Sequence, residues 1–233
     1  MFETLAGAFD PLLFWEYRAV LLPGLAFNFY IYFLSAGVAI TLGLIAAVLR
    51  LNQFIVFRAV GTFYAELCRN TPEYVLLIWI FYVPPLLLTV MLGTNINFSP
   101  FLAAVIALGL SSSGYFTETF RAGILAIPKG HIESARSLGM SGMLTLRRIV
   151  LPQALRHMLP EAMNQLVSLF KGTTLVSLIT VPDLLYQVSI VTQQESKSLP
   201  LYSGAAIIFF LIIFTFSTIV KKFSDPWREK SRA

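Results

Sequence analysis

Three long stretches of this sequence contain no charged residue, and they decide what the chain can fold into. They are the 31 residues between Arg18 and Arg50, the 44 residues from Tyr74 to Thr117, and the 23 residues from Ser198 to Val220. About 20 apolar residues suffice for one helix to cross a bilayer. Charged residues make up 12% of the 233-residue chain, about half of the roughly 25% typical of soluble domains. The sequence therefore predicts an all-α integral membrane protein.

The same stretches predict about five transmembrane helices in a helical bundle. The 44-residue stretch holds two helices, because Gly93–Pro100 is rich in turn-forming residues. A fifth helix is predicted over Pro152–Val181, where the apolar pattern is interrupted by charged side chains. We find no internal repeat and no soluble second domain, so residues 1–233 are predicted to form a single transmembrane domain.

The distribution of Lys and Arg predicts the orientation of these helices, since positive residues accumulate in cytoplasmic loops. With the N-terminus outside and the C-terminus in the cytoplasm, thirteen of the 17 basic residues fall in cytoplasmic segments. They are Arg50, Arg58, Arg121, Lys129, Arg136, Arg147, Arg148, Arg156, Lys221, Lys222, Arg228, Lys230 and Arg232. Only Arg18 and Lys197 fall outside. This pattern also accounts for the net charge of +5 without nucleic-acid binding.

Several kinds of site are not expected. Cys68 is the single cysteine and lies in an apolar run, so it is read as a packed small side chain rather than a ligand. His131 and His157 are too few for a metal site. The sequence has no G-x-x-x-x-G-K-[ST] loop, so no ATP and no cofactor is expected to bind to this chain.

The predicted cytoplasmic segment from Lys129 to Pro160 has the features of a docking element. Ile132–Leu138 reads as a short helix, and Gly139 follows where a helix end needs positive φ. Ser141 suits the N-cap of a second short helix that continues to about Val150, with Pro152 as the next turn. Two short helices with a basic edge would then offer a surface to a partner.

This segment resembles the cytoplasmic loop of bacterial ATP-binding-cassette importer permeases, whose pattern is E-A-A, three residues, G, nine residues, I-x-L-P. Every spacing matches, and Ser134 in place of the first Ala is the one departure. The matching positions are Glu133, Ser134, Ala135, Gly139, Ile149, Leu151 and Pro152. Flanking sequences narrow the resemblance to the polar amino acid uptake family: Gly123–Gly130, Leu151–Arg156, Lys171–Leu175 and Arg69–Pro72.

The resemblance implies the fold of a type I importer permease in the bacterial inner membrane. The loop, about 124–152, would dock on a separate ATPase dimer that binds ATP and Mg. A second permease chain, identical or related, would complete the path. A periplasmic or extracellular solute-binding protein would deliver the solute, and lipid would surround the helices. The chain itself would be a non-catalytic subunit.

Charged residues inside the predicted membrane region, together with Thr71 and Pro72 between them, are candidates for the translocation path. Glu66, Arg69 and Glu73 would share one helix face, but Pro72 predicts a break or kink at Thr71. One interpretation is that Arg69 pairs with a neighbouring Glu and braces the bundle. The other is that some of these residues line the path, because charges facing lipid are costly. Glu73 departs from the apolar residues that the resembled family usually has after this proline.

Three further residues have two interpretations each. Glu118 is either a path residue or an ion-pair partner of Arg121. Lys171 and Thr174 lie near the path or serve packing. The sequence leaves open the exact solute, the choice between homodimer and heterodimer, and the number of substrate sites in the membrane.

Rival functions fit the sequence less well. A self-sufficient secondary transporter predicts inverted repeats, and a membrane enzyme predicts clustered catalytic residues; we find neither. A permease of the same class that imports another small polar solute, such as an opine or an osmoprotectant, remains an alternative.

Overall fold

The computed structural model describes residues 11–230, with side chains from Phe14 to Lys222. The predicted external N-terminus and the side chains of Arg228, Lys230 and Arg232 lie outside the described residues. The described chain is helical almost throughout. Its helices are α1 (Pro11–Glu16), α2 (Arg18–Arg50), α3 (Ile55–Asn70), α4 (Glu73–Leu92), α5 (Pro100–Leu125), α6 (Lys129–Ser137), α7 (Gly142–Thr145), α8 (Leu151–Gly172), α9 (Leu184–Glu195) and α10 (Ser198–Lys230). A π-helical turn, Leu146–Val150, joins α7 to α8, and a 3-10 helix, Thr173–Ile179, follows α8.

Within the described residues, four helices are long and apolar enough to cross a membrane: α2, α4, α5 and the Ser198–Lys222 part of α10. A fifth candidate span is bent by 45° and consists of the helical segment Gly142–Ile179 together with α9. The prediction of a helical bundle with about five spans is confirmed. The chain between the two middle spans turns where predicted, because α4 ends at Leu92 and Gly93 adopts φ +67°.

The described residues belong to two compact units. The first unit comprises the described residues within 1–36, 72–109 and 168–216, and the second comprises those within 37–71, 110–167 and 217–233. The core of the first unit surrounds Phe170, which is 1% exposed. Its ring lies 5.1 Å from that of Phe29 and 5.4 Å from that of Tyr32. Aromatic rings at these separations attract one another beyond simple burial.

The core of the second unit joins α2, α5, α8 and the loop at about 124–152, called the coupling segment below. Its buried members are Ala39, Ala47, Phe116, Phe120, Ile127, Val150, Ala154 and Met158. Small residues let these helices approach closely. At Gly114, for example, an added Cβ would lie 2.8 Å from the backbone nitrogen of Arg69, so α3 and α5 meet backbone to backbone there.

Candidate coupling and translocation sites

The first helix of the coupling segment ends in a Schellman motif. Gly139 has φ +77°, its N–H donates to Arg136 O at 2.9 Å, and the Met140 N–H donates to Ala135 O at 3.1 Å. These two bonds satisfy carbonyls that the end of α6 leaves free. The prediction that Gly139 takes positive φ at a helix end is confirmed. The helix itself is longer than predicted and begins at Lys129.

The second predicted helix also begins as expected. The hydroxyl of Ser141 accepts a hydrogen bond from the Leu144 N–H at 3.4 Å and so caps α7. The side chain of Thr145 donates back to Ser141 O at 3.0 Å. Both bonds join residues three or four positions apart, so local sequence is enough to form this turn.

The prediction of a turn at Pro152 is wrong. The backbone continues helically from Gly142 to Gly172, and the residues before Pro152 form the π-helical turn. In that turn the Leu151 N–H donates to Leu146 O, five residues back. A proline lacks an N–H and its ring clashes with the carbonyl four residues earlier in a regular α-helix. A widened turn relieves such conflicts, which is why π turns occur at irregular points of helices.

The motif residues fall into an inner and an outer set. Ala135 is 3% exposed, and Ile132 beside it packs on the core cluster that contains Val150 and Ala154. His131 Nδ1 and Gln153 Oε1, 2.9 Å apart, tie α6 to α8. The outer set comprises Glu133, Ser134, Leu151 and Pro152, which are exposed.

Two large apolar side chains stand out beside this outer set, since Leu138 is 83% exposed and Met143 is 73% exposed. We call Glu133, Ser134, Leu138 and Met143 the docking surface. Exposed apolar groups beside polar and basic ones are typical of a protein–protein contact.

The candidate path residues of the second unit form ion pairs. Arg69 Nη2 lies 3.1 Å from both oxygens of Glu66, and Asn70 donates to the same carboxylate at 2.7 Å. Glu118 Oε2 lies 2.7 Å from Arg50 Nη1, and its other oxygen pairs with Arg121. Sequence reasoning named Arg121 as the partner of Glu118 but missed Arg50, which is 68 residues away in the chain.

The predicted break in the charged segment is confirmed. α3 ends at Asn70, and Thr71 and Pro72 are extended with ψ of 125° and 131°. Glu73 then begins α4, so it does not continue the helix that carries Glu66 and Arg69. Its carboxylate packs against Gly172, the last residue of α8: a Cβ on that glycine would lie 2.8 Å from Glu73 Oε1.

Lys171 and Thr174 lie around the junction of α8 and the 3-10 helix. Lys171 is exposed, and its carbonyl accepts a hydrogen bond from the Thr174 hydroxyl at 2.8 Å. Thr174 is half-buried. The Glu73 carboxylate contacts Gly172, the residue that follows Lys171 in the chain. The sequence did not indicate that Glu73 lies near this junction.

A polar network in the first unit was missed entirely. Asn28 Nδ2 donates to Asp183 Oδ2 at 3.1 Å and to Thr173 O at 3.2 Å, while its Oδ1 accepts from the Leu184 N–H at 3.1 Å. Asn28 and Asp183 are both 0% exposed. The signal available in the sequence was a lone carboxylate, Asp183, in an otherwise apolar region. Asp183 also caps α9 by accepting from the Tyr186 N–H at 2.9 Å.

Known proteins resemble this chain over most of its length. Residues 39–230 match the model of the family described as binding-protein-dependent transport system inner membrane component. The probable glutamine ABC transporter permease GlnP of Bacillus subtilis is 31% identical over 89% of this chain and 93% of its own. The histidine/lysine/arginine/ornithine permease HisQ of Salmonella typhimurium is 35% identical over 87% of this chain and 89% of its own.

Solved structures agree with these relatives. A crystal structure of an amino acid ABC transporter with histidines matches with a TM-score of 0.83 and 30% identity, covering 93% of this chain and 98% of that chain. The MetNI methionine ABC transporter, solved in inward-facing conformations, shares the fold with a TM-score of 0.63 and 20% identity. The resemblance carried by the loop motif is thereby confirmed, and this chain belongs to the inner membrane component family of binding-protein-dependent transport systems.

Proposed function

We propose that this chain is the permease subunit of a bacterial importer that takes up polar amino acids with energy from ATP hydrolysed by a partner subunit. The family supports this role, and the relatives HisQ and GlnP are named as amino acid permeases. The observation that supports it is the capped helix α6, which leaves Glu133, Ser134 and Leu138 exposed where the loop motif predicts a docking element. The chain itself is proposed to bind no ATP and no metal.

The helical path from Gly142 to Gly172 suggests how the subunit works. A partner ATPase that binds the docking surface would move α6, and α6 is tied to α8 by Ile132 packing and by the His131–Gln153 contact. The backbone stays helical from Gly142 through Pro152 to Gly172. A displacement of the Gly142 end would therefore move α8 as a whole instead of being absorbed by a flexible loop. Rigid-body movement of helices is a standard route for such switching.

The remaining parts of the proposal concern partners and orientation. The N-terminus is proposed to lie outside and the C-terminus in the cytoplasm of the bacterial inner membrane. A second permease chain would complete the path, and a solute-binding protein would deliver the solute. Exposed Ser137 allows a test of orientation: Ser137→Cys in a Cys68→Ser background should react with a membrane-impermeant maleimide only after the cells are opened. Labelling in intact cells would reverse the proposed orientation.

The first experiment is purification of the tagged chain from its native membranes in mild detergent, with identification of partners by mass spectrometry. Recovery of an ATPase with a Walker motif supports the proposal. A second, different permease in the same eluate would indicate a heterodimer, and its absence a homodimer. Uptake of labelled polar amino acids, an opine and an osmoprotectant then separates the proposed solute class from its alternatives. An eluate with this chain alone in several detergents would favour a self-sufficient transporter.

Gly139→Val tests the coupling role. Gly139 has open space around it, so the cost of a side chain is the strained left-handed backbone, about 1–2 kcal/mol before the extra cost of β-branching. The strain should distort the Schellman motif and shift the docking surface. We expect ATP hydrolysis to continue while uptake falls by about tenfold or more.

Gly130→Val is the matched control, because Gly130 is also open but has ordinary helical φ. Full uptake by the Gly139→Val protein would contradict the docking role.

A further inference from the structure

Glu73 is the only charged residue in the apolar helix α4. A charged side chain within a transmembrane segment is costly and normally faces the protein interior, a partner or a water-filled cavity. The geometry shows where this one faces. Cβ positions built on Gly172 fall 2.8 Å from Glu73 Oε1 and 3.0 Å from Oε2, so the carboxylate lies directly on a glycine that leaves room for it. Gly172 itself is buried.

The carboxylate of Glu73 lacks the partners that the other membrane carboxylates have. Glu66 and Glu118 pair with arginines, and Asp183 accepts from Asn28 and a backbone N–H. No hydrogen bond or ion pair of Glu73 is present among the residues that the structure describes. Its own helix contributes favourable dipole charge at its N-terminus, but no N–H of α4 donates to the carboxylate.

The surroundings of the carboxylate supply no paired cation among the described residues. Lys171, the basic residue next to Gly172, is exposed. The helical backbone continues from Gly172 into the 3-10 helix Thr173–Ile179, so Gly172 is not a free carbonyl end. Glu73 is half-buried rather than enclosed, and a cationic group that reached it would supply the missing partner.

We propose that Glu73, seated against Gly172, is a binding point for the positively charged group of the imported solute. This inference rests on the proposed importer function. The recognised chemistry is an alkylammonium or guanidinium group, which gives charge-assisted hydrogen bonds to a carboxylate. Two sources carry it: the side chain of a basic amino acid, or the α-ammonium that every amino acid has.

The test uses the whole purified complex with its ATPase and measures binding of labelled L-arginine, L-lysine and L-glutamine without the solute-binding protein. Glu73→Gln removes the charge and keeps the size. We expect binding to weaken by about tenfold or more. Loss confined to arginine and lysine assigns Glu73 to the basic side chain, whereas equal loss for glutamine assigns it to the α-ammonium.

Two further variants guard against misfolding and a purely structural role. Gly172→Ala keeps the charge but displaces the carboxylate, and it should reproduce the loss. Glu161→Gln alters an exposed glutamate that accepts a hydrogen bond from the Gln165 side chain, and it should leave binding unchanged. Lys171→Gln tests an internal partner: equal effects of Lys171→Gln and Glu73→Gln, with no further loss in the double variant, would overturn the proposal.

The remaining outcomes separate this inference from the importer function. Undiminished binding by Glu73→Gln, or no saturable binding of any probe by the unmodified complex, would overturn the role of Glu73. Neither result bears on the importer function. That function is tested by recovery of the ATPase with the tagged chain and by uptake in cells.

Discussion

The two units treat their membrane carboxylates differently. In the second unit, Glu66 and Glu118 are half-buried and each pairs with arginine. In the first unit, Asp183 is fully buried and accepts hydrogen bonds from neutral donors, whereas none of the described residues donates to Glu73. The Arg50–Glu118 pair joins α2 to α5, whereas the Glu66–Arg69 pair lies within α3. A buried carboxylate held by amide and backbone N–H groups fixes a bend, and one without a partner is available to a ligand.

The largest expected effect comes from Asn28→Leu in the first unit. The leucine has a similar volume but leaves the Asp183 carboxylate without its Asn28 bond and the Leu184 N–H without an acceptor. Unsatisfied buried groups of this kind cost about 3 kcal/mol or more in free energy of unfolding. Thermal unfolding of the purified protein in detergent measures the loss.

Asn164→Leu is the matched control for that variant, because Asn164 is exposed on α8. If Asn28→Leu proved as stable as this control, the Asn28–Asp183 network would not stabilise the bend before α9. The proposed difference between the carboxylates of the two units would then lose its main support.

Glu118→Gln tests the bracing charges of the second unit. The change leaves Arg50 and Arg121 without a carboxylate, and Arg50 is the most buried of the three side chains, at 14% exposed. We expect a loss of about 1–3 kcal/mol in free energy of unfolding. Arg50→Gln should cost less, because Arg121 still pairs with Glu118. If Arg50→Gln lost more stability than Glu118→Gln in the same unfolding assay, Glu118 would not be the residue that holds these charges together.

Arg69→Gln should have a smaller effect on stability. The Arg69 and Glu66 side chains are 35% and 41% exposed, so their pair resembles a surface salt bridge worth below about 1 kcal/mol. Uptake assays in cells complete this test, since neutralising Arg69 is expected to impair transport or assembly. Normal expression with normal uptake would dismiss both the bracing and the path interpretation of this side chain.

Glu73→Gln should have the smallest effect on stability in the absence of solute. No bond is lost, so the free energy of unfolding should stay within about 0.5 kcal/mol or rise. Measuring the free energies of unfolding of Glu73→Gln and Glu118→Gln in one assay compares an unpaired carboxylate directly with a paired one. A large loss of stability for Glu73→Gln would show that the residue braces the first unit.

Sequence reasoning worked where structure depends on neighbours along the chain. The positive φ of Gly139, the Ser141 cap and the break at Thr71 all follow from residues within five positions. The prediction at Pro152 failed for the opposite reason: the proline signals a break, but a π-helical turn accommodates it within a helix whose inner face packs on the core. That packing is tertiary and has no local signature.

Apolar runs and capping motifs act over short distances, so they specify the membrane class, about five spans and the capped helices of the coupling segment. Packing across the fold sets which charges are paired. Arg50 reaches Glu118 across 68 residues and Asn28 reaches Asp183 across 155, while Glu73 packs against Gly172 and has no hydrogen-bonding or ionic partner within the described part of the chain. Charge types and spacing cannot settle such pairings, because a buried side chain is satisfied only by what packing brings within about 3 Å.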